Sequence, residues 1–256
     1  PIEEDVALDP ELLGHVFENL LADYNPETGA VARKTTGSFY TPRVAVGYMV
    51  DEALLVYLSE RLLETFAALK TDVPALEKRL RELLDWQTES HQFSPAEVEA
   101  LINAIHALKA IDIACGSGAF PMGLLLKLVW ILRKLDPGNE RWKAIQLAAI
   151  PDANLRAAAE RVFTGNLPDY TRKLYLIENC LYGVDIQPIA IQITKLRFFI
   201  SLVCDQKTNR NKKDNHGIRP LPNLETKFVA ADTLIGLPIS DKDLFIESLI
   251  APIEKE

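Results

Sequence analysis

Residues 110–135 carry the pattern that most restricts what this chain can become: AIDIACGSGAFPMGLLLKLVWILRKL. A short apolar run ends in Asp112, breaks at Gly116 and Gly118, and resumes as an apolar stretch from about Phe120 to Leu135. That order predicts a strand feeding a helix through a tight glycine turn. It returns at LYGVDI (181–186), where Pro188 takes a first helical position and Ile189, Ile193, Leu196, Ile200 and Val203 mark one face. KFVAADTLIG (227–236) supplies a third strand and turn. Strand, helix, strand, helix, strand predicts an α/β chain with a parallel sheet.

The residues before this pattern read as helices. LDPELLGHVFENLLADY (8–24) places Leu12, Val16, Leu20 and Leu21 at helical spacing, and NPETGAVARKTTGSF (25–39) reads as a loop. From Thr41-Pro42 a long amphipathic helix is expected, with Val46, Met49, Val50, Ala53, Leu54 and Tyr57 recurring at three and four. Leu76, Leu80, Leu83 and Leu84 mark another helix. A further one starts at Ser94-Pro95-Ala96-Glu97, whose Ser and Glu have capping-box spacing, and carries Val98, Leu101, Ile102 and Ile105. Later helices are expected at about 139–149, 152–162, 170–179 and 241–250, with DQKTNRNKKDNHGIRPLPN (205–223) as a loop. The chain thus divides into a mainly α-helical region, 1–108, and an α/β region, 109–256.

Composition excludes some roles. A net charge of −8 argues against a surface that is nucleic-acid footprint throughout, while leaving room for a local basic stripe. Cys115, Cys180 and Cys204 lack metal-ligand spacing and fit reduced thiols in a cytosol. No apolar stretch is long enough to span a bilayer, and no signal peptide is visible. The chain starts at Pro1 and ends in IEKE, so we expect part of a longer polypeptide.

The glycine turn could be a tight connection and nothing more. In an open parallel sheet, however, ligands sit beyond the carboxyl ends of the strands, and glycines let backbone approach a ligand closely. A dinucleotide would want a third glycine and an acid about 20 residues on. Here Pro121 holds the third glycine position, and the next strand's acid, Asp185, lies 67 residues beyond Gly118. A nucleoside cofactor without pyrophosphate needs neither, and S-adenosylmethionine is one.

Four segments, in order, carry a resemblance. DIACGSGAF resembles the Asp-Pro-Ala-Cys-Gly-Ser-Gly-x-Phe motif of adenine-specific DNA methyltransferases, with Ile113 in place of Pro. TTGSFYTP resembles their Gly-x-Tyr-Tyr-Thr-Pro segment, with Phe39 for the first Tyr. LYGVDIQPIAIQITKLRFFISL and VAADTL are similar to their second- and third-strand motifs. ELLGHVFENLL with RKTTGSFYTP resembles the large fused enzymes of type IIG restriction–modification and related phage-defence systems. The resemblance implies a partial Rossmann-like methyltransferase fold over 109–256, preceded by the helical region.

It also implies roles. Tyr40, Thr41 and Pro42 would meet the methionine carboxylate of S-adenosylmethionine at a helix N-terminus. Asp112 would accept from its ammonium, and Ala114, Cys115, Gly116, Ser117 and Gly118 would give backbone access. Asp185 would accept from the ribose hydroxyls, and Ile186 would pack on the adenine. Asp232, with Thr233 and Leu234 beside it, would bond the adenine amino group. Each has a structural reading beside it. Thr41-Pro42 suits a helix cap, Asp112 and Asp185 can cap the turn and the following helix, and Ala-Asp-Thr fits an ordinary turn.

The family's chemistry sits on an Asn/Asp-Pro-Pro-Tyr/Phe motif, where a flipped adenine stacks. Only NLPDY (166–170) comes near it, and its position between the first and second cofactor motifs marks it as a helix-start loop. The expectation is therefore a chain with most of a cofactor site, no catalytic residues and no metal site, silent alone. The implied whole enzyme is cytoplasmic, touches DNA mainly through other segments, and methylates N6 of adenine. Two alternatives stay open: a methyltransferase for protein amide or RNA base nitrogens, and a non-catalytic DNA or protein interaction module on a degenerate cofactor fold. The basic run Lys207, Arg210, Lys212, Lys213, Arg219 reads as solvated loop charge.

Overall fold

The structure is a computed structural model that describes residues 41–207, 209, 211–220 and 222–235. The helix expected over 8–24, the following loop, Tyr40 and the short helix at about 241–250 lie outside the described residues.

The described residues before β1 are helical, as the spacing of their apolar residues predicts. Helix α1 runs Arg43–Thr65 and α2 runs Val73–Leu84, joined by a 3-10 turn over Ala67–Thr71. Helix α2 buries the four leucines that the sequence marks. Helix α3, Pro95–Ala107, opens with the expected capping box: Ser94 Oγ accepts from Glu97 N, and Glu97 Oε2 accepts from Ser94 N at 2.7 Å. In α1 the apolar surface is wider than the buried stripe. Val46, Val50 and Leu54 are buried with Leu55, Leu58 and Leu62, whereas Met49 and Ala53 are exposed.

The rest alternates strand and helix. Strand β1 is Ala110–Asp112, followed by α4 (Ala119–Leu135), α5 (Glu140–Ala148), α6 (Ala153–Gly165) and α7 (Pro168–Asn179). Then come β2 (Leu181–Asp185), α8 (Pro188–Val203), a 3-10 helix (Lys212–Gly217) and β3 (Phe228–Ala230). The three strands form one parallel sheet in the order β1-β2-β3, with Asp112 opposite Gly183 and Gly183 opposite Phe228. The described chain is thus mostly helical around a small, open parallel sheet.

Helix α4 organises the core. It packs against α1, α2, α3 and α7 on its sides and against β1 and β2. One apolar cluster therefore runs from Leu58 and Leu80 through Leu125 and Leu132 to Leu176 and Phe228. Two buried lysines of α4 serve the end of α2. Lys127 donates to Leu84 O, and Lys134 donates to the carbonyls of Leu83 and Asp85, which the helix itself leaves without donors. The start of α7 is tied equally firmly, because Asp169 pairs with both Arg133 and the buried Arg172. Tyr170 beside it is 2% exposed, so NLPDY begins a helix and presents no ring on which a base could stack.

Helix α8 departs from expectation. Its apolar residues Ile189 and Leu196 are exposed, and the buried face carries Ile191, Ile193, Thr194, Arg197, Phe198, Ser201 and Leu202. The reason lies in the site: the two polar residues Thr194 and Arg197 on this face bond to the glycine turn.

Candidate cofactor site at the ends of three strands

The site starts from the backbone of the glycine turn. After β1 the chain bends so that Cys115 N donates to Val184 O at 2.9 Å and Gly118 N donates to Cys115 O at 2.8 Å. Gly116 has φ +54° and Gly118, the residue that opens α4, has φ +83°. Both are left-handed values that a Cβ disfavours. A Cβ on Gly116 would meet nothing within 4 Å, whereas one on Gly118 would lie 2.7 Å from Thr194 Cγ2. One glycine faces open space and the other faces α8.

Two carboxylates flank the turn. Asp185, at the end of β2, accepts from Gly116 N at 2.8 Å through one oxygen and from Gln187 N at 2.9 Å through the other. It therefore ties the first turn to Gln187, the residue before α8. Asp112 accepts from Ala114 N through Oδ1 at 3.1 Å, a turn-capping bond, but its buried Oδ2 has no hydrogen-bond partner among the described residues. Burial pushes the Asp112 carboxyl above its ordinary range, and the negative charge of Asp185 adds to this against the Ala114 N–H. A buried acceptor without a donor, beside a second carboxylate, is suited to a cationic donor.

Cys115 is 4% exposed, and its thiol is pushed up to about 12 by burial first and then by Asp112 and Asp185. It is protonated at neutral pH and is no nucleophile.

The third strand's exit closes over the first. Ala231 N donates to Asp185 O at 2.9 Å, and Thr233 Oγ1 donates to Ile113 O at 3.2 Å. Asp232 Oδ1 accepts from Leu234 N, as in an ordinary turn. Asp112, the glycine turn, Asp185, Asp232 and Thr233 therefore meet at one end of the sheet, with Ile186 63% exposed beside them.

Helix α1 begins near the same end. Val46 packs closely on Gly123, and one turn or so further along both helices Asp51 pairs with Lys127 at 2.8 Å. The two helices thus run side by side in the same direction. Pro42 takes the cap position of α1, with its carbonyl accepting from Ala45 and Val46; among the described residues no side chain caps this end, so Thr41 does not play the role its place before a proline suggests. A groove of about 380 Å³ is lined by Met49 of α1, Ile111, Asp112 and Ile113 at β1, Phe120 of α4 and Tyr182 of β2, among others.

Sequence reasoning missed Thr194 and Arg197. Thr194 Oγ1 donates to Gly116 O at 3.1 Å, and Arg197 Nη1 donates to Ser117 O at 2.8 Å. No sequence signal separates them from the other polar residues of the helix, Gln192, Lys195 and Ser201. Among the described residues, no group of three or more His, Cys, Asp or Glu is gathered that could hold a metal ion. No described helix is long and apolar enough to cross a membrane.

Comparison with known proteins gives a distant relation. The chain is 26% identical over 236 residues, 91% of its own length, to a protein of Methanocaldococcus jannaschii whose provisional name is type II restriction enzyme and methyltransferase. The match spans only 17% of that protein's length. No family model matches the chain, and no solved structure matches it.

Proposed function

We propose that this chain is the cofactor-holding part of a DNA methyltransferase that transfers a methyl group from S-adenosylmethionine to N6 of adenine, within a restriction–modification or phage-defence enzyme. The observation that carries the reading is the orphaned, buried Oδ2 of Asp112 next to a glycine turn whose Gly116 faces open space. Such a site has an acceptor for an ammonium and backbone that a ligand can approach. The order of the four sequence motifs and the distant relation to a restriction–modification protein support the same conclusion.

The residues present fit this cofactor. Asp112 would take its ammonium, Asp185 its ribose hydroxyls through lone pairs left beside its two backbone bonds, and Ile186 the flat face of its adenine. Asp232 would bond the adenine amino group with Thr233 alongside, and Thr41 and Pro42, with Tyr40, would meet the carboxylate at the start of α1. In this reading residues 109–256 are the cofactor half of a Rossmann-like domain and residues 1–108 its helical extension. The cofactor supplies an electrophilic methyl group; this chain's residues bind and orient it. The sequence contains no Asn/Asp-Pro-Pro-Tyr/Phe motif. We therefore assign base binding and transfer to residues other than 1–256 of the whole enzyme.

Calorimetric titration of the chain with S-adenosylmethionine tests the reading, alongside Asp185→Ala. Binding by the parent is expected, weakened roughly 10- to 100-fold in the variant, the fold-change for losing charge-assisted hydrogen bonds. A folded parent that binds nothing would refute it.

A further inference from the structure

Helix α8 lies behind the glycine turn and contacts it at three successive residues. Thr194, 1% exposed, donates its hydroxyl to Gly116 O at 3.1 Å, while its methyl and Cβ fill the space in which a Cβ of Gly118 would stand. Arg197, 5% exposed, donates to Ser117 O at 2.8 Å. From the other side Asp185 accepts from Gly116 N at 2.8 Å. A peptide unit is planar, with its N–H opposite its carbonyl. Fixing the carbonyls of Gly116 and Ser117 towards α8 therefore fixes the orientation of both following peptide planes. The left-handed conformations at Gly116 and Gly118 have little local preference over others, since glycine populates many. Something outside the turn must select them.

We propose that Thr194 and Arg197 are positioning residues: they hold the glycine turn, before any ligand arrives, in the shape that accepts the cofactor. The inference rests on the S-adenosylmethionine reading above and adds to it the source of the turn's preorganisation. It also accounts for two polar side chains on the buried face of α8. Helix α8 buries Ile191, Ile193, Phe198 and Leu202 and, among them, turns a hydroxyl and a guanidinium inwards, where each meets a carbonyl of the turn. Neither residue needs to touch the ligand, so neither is catalytic. A turn that must be ordered on binding draws its ordering cost from the affinity, and a turn already ordered does not.

The test uses the whole chain and four variants: Thr194→Val, which keeps the shape and loses the hydroxyl; Thr194→Ser, which restores it; Arg197→Met; and Arg197→Lys. S-adenosylhomocysteine is titrated calorimetrically, and amide hydrogen exchange is followed over residues 114–119 without ligand. We expect Thr194→Val and Arg197→Met to exchange faster across the turn and to bind roughly tenfold more weakly, the equivalent of about one net hydrogen bond. Thr194→Ser should recover both properties, and Arg197→Lys should recover them in part. A purely structural role would lower the melting temperature without this rescue of affinity. Parent-like binding and exchange in Thr194→Val and Arg197→Met would overturn the inference while leaving the cofactor reading intact. A parent that does not bind would overturn both, and the two failures are told apart by which protein fails.

Discussion

The two glycines of the turn should respond differently to the same substitution. Gly118→Ala meets two costs. Its φ of +83° penalises any L-residue by about 1–2 kcal/mol. The new Cβ would also lie 2.7 Å from Thr194 Cγ2 and 2.8 Å from its Oγ1, on a short side chain that is buried and bonded to Gly116 O. Overpacking of this kind adds about 1–3 kcal/mol, for a total of about 2–5 kcal/mol. In a chain of this size that lowers the melting temperature by roughly 4–20 °C. Gly116→Ala meets only the backbone cost, about 1–2 kcal/mol or roughly 2–8 °C, because nothing lies within 4 Å of its Cβ. Its methyl group instead enters the open side of the turn, so it should lose cofactor affinity while staying the more stable of the two. Thermal unfolding followed by circular dichroism, with Gly118→Ala repeated in a Thr194→Ala background, separates the terms. The cycle should return the overpacking part, about 1–3 kcal/mol. Equal destabilisation by the two alanines, or no relief in the double variant, would refute the contact between α8 and the turn.

Three further outcomes follow from individual side chains. Asp112, pushed up by burial, holds its proton more tightly in the folded chain, so stability should fall as pH rises from about 4 through its raised folded value. Asp112→Asn should flatten that slope while losing cofactor affinity; melting curves against pH check it. For Asp169, burial would raise the carboxyl, but the hydrogen bonds and charges of Arg133 and Arg172 outweigh it and hold it below its ordinary range. Its contribution is complete above about pH 4 and is lost as pH falls through the lower folded value, and Asp169→Ala, which leaves the buried Arg172 with only the Asp136 and Pro137 carbonyls and the Asp136 charge, should cost about 3 kcal/mol in a denaturant titration. Ser94→Ala removes half of the capping box at α3 and should cost about 1 kcal/mol, read from the same titration.

Local signals in the sequence located most elements. The capping box at Ser94 and Glu97 and the leucine stripe of α2 are set by residues close in sequence, and the glycine turn is marked by its own two glycines, so a single stretch of sequence reveals each, although the turn's conformation is held from α8 and Asp185. Partners distant in sequence were not legible. Helix α8 has apolar residues on more than one side, so periodicity alone did not choose its inner face; part of that face, Thr194 and Arg197, meets carbonyls some 80 residues earlier, at Gly116 and Ser117. Lys127 and Lys134 are buried against the end of α2 for the same kind of reason. The site residues Asp112 and Asp185 could be named from their places at strand ends. That one oxygen of Asp112 would be left without a donor required the fold.

The central claim, that the glycine turn at the strand ends is the cofactor site, is tested most directly by glycine-selective nitrogen labelling. The chain has only 12 glycines, so their amide signals can be resolved and assigned by substitution. Adding S-adenosylhomocysteine should move the Gly116 and Gly118 signals and leave Gly138 in place, since Gly138 lies past the far end of α4, about 25 Å away along the helix. Unmoved signals at Gly116 and Gly118 in a folded chain, at saturating ligand, would contradict the account.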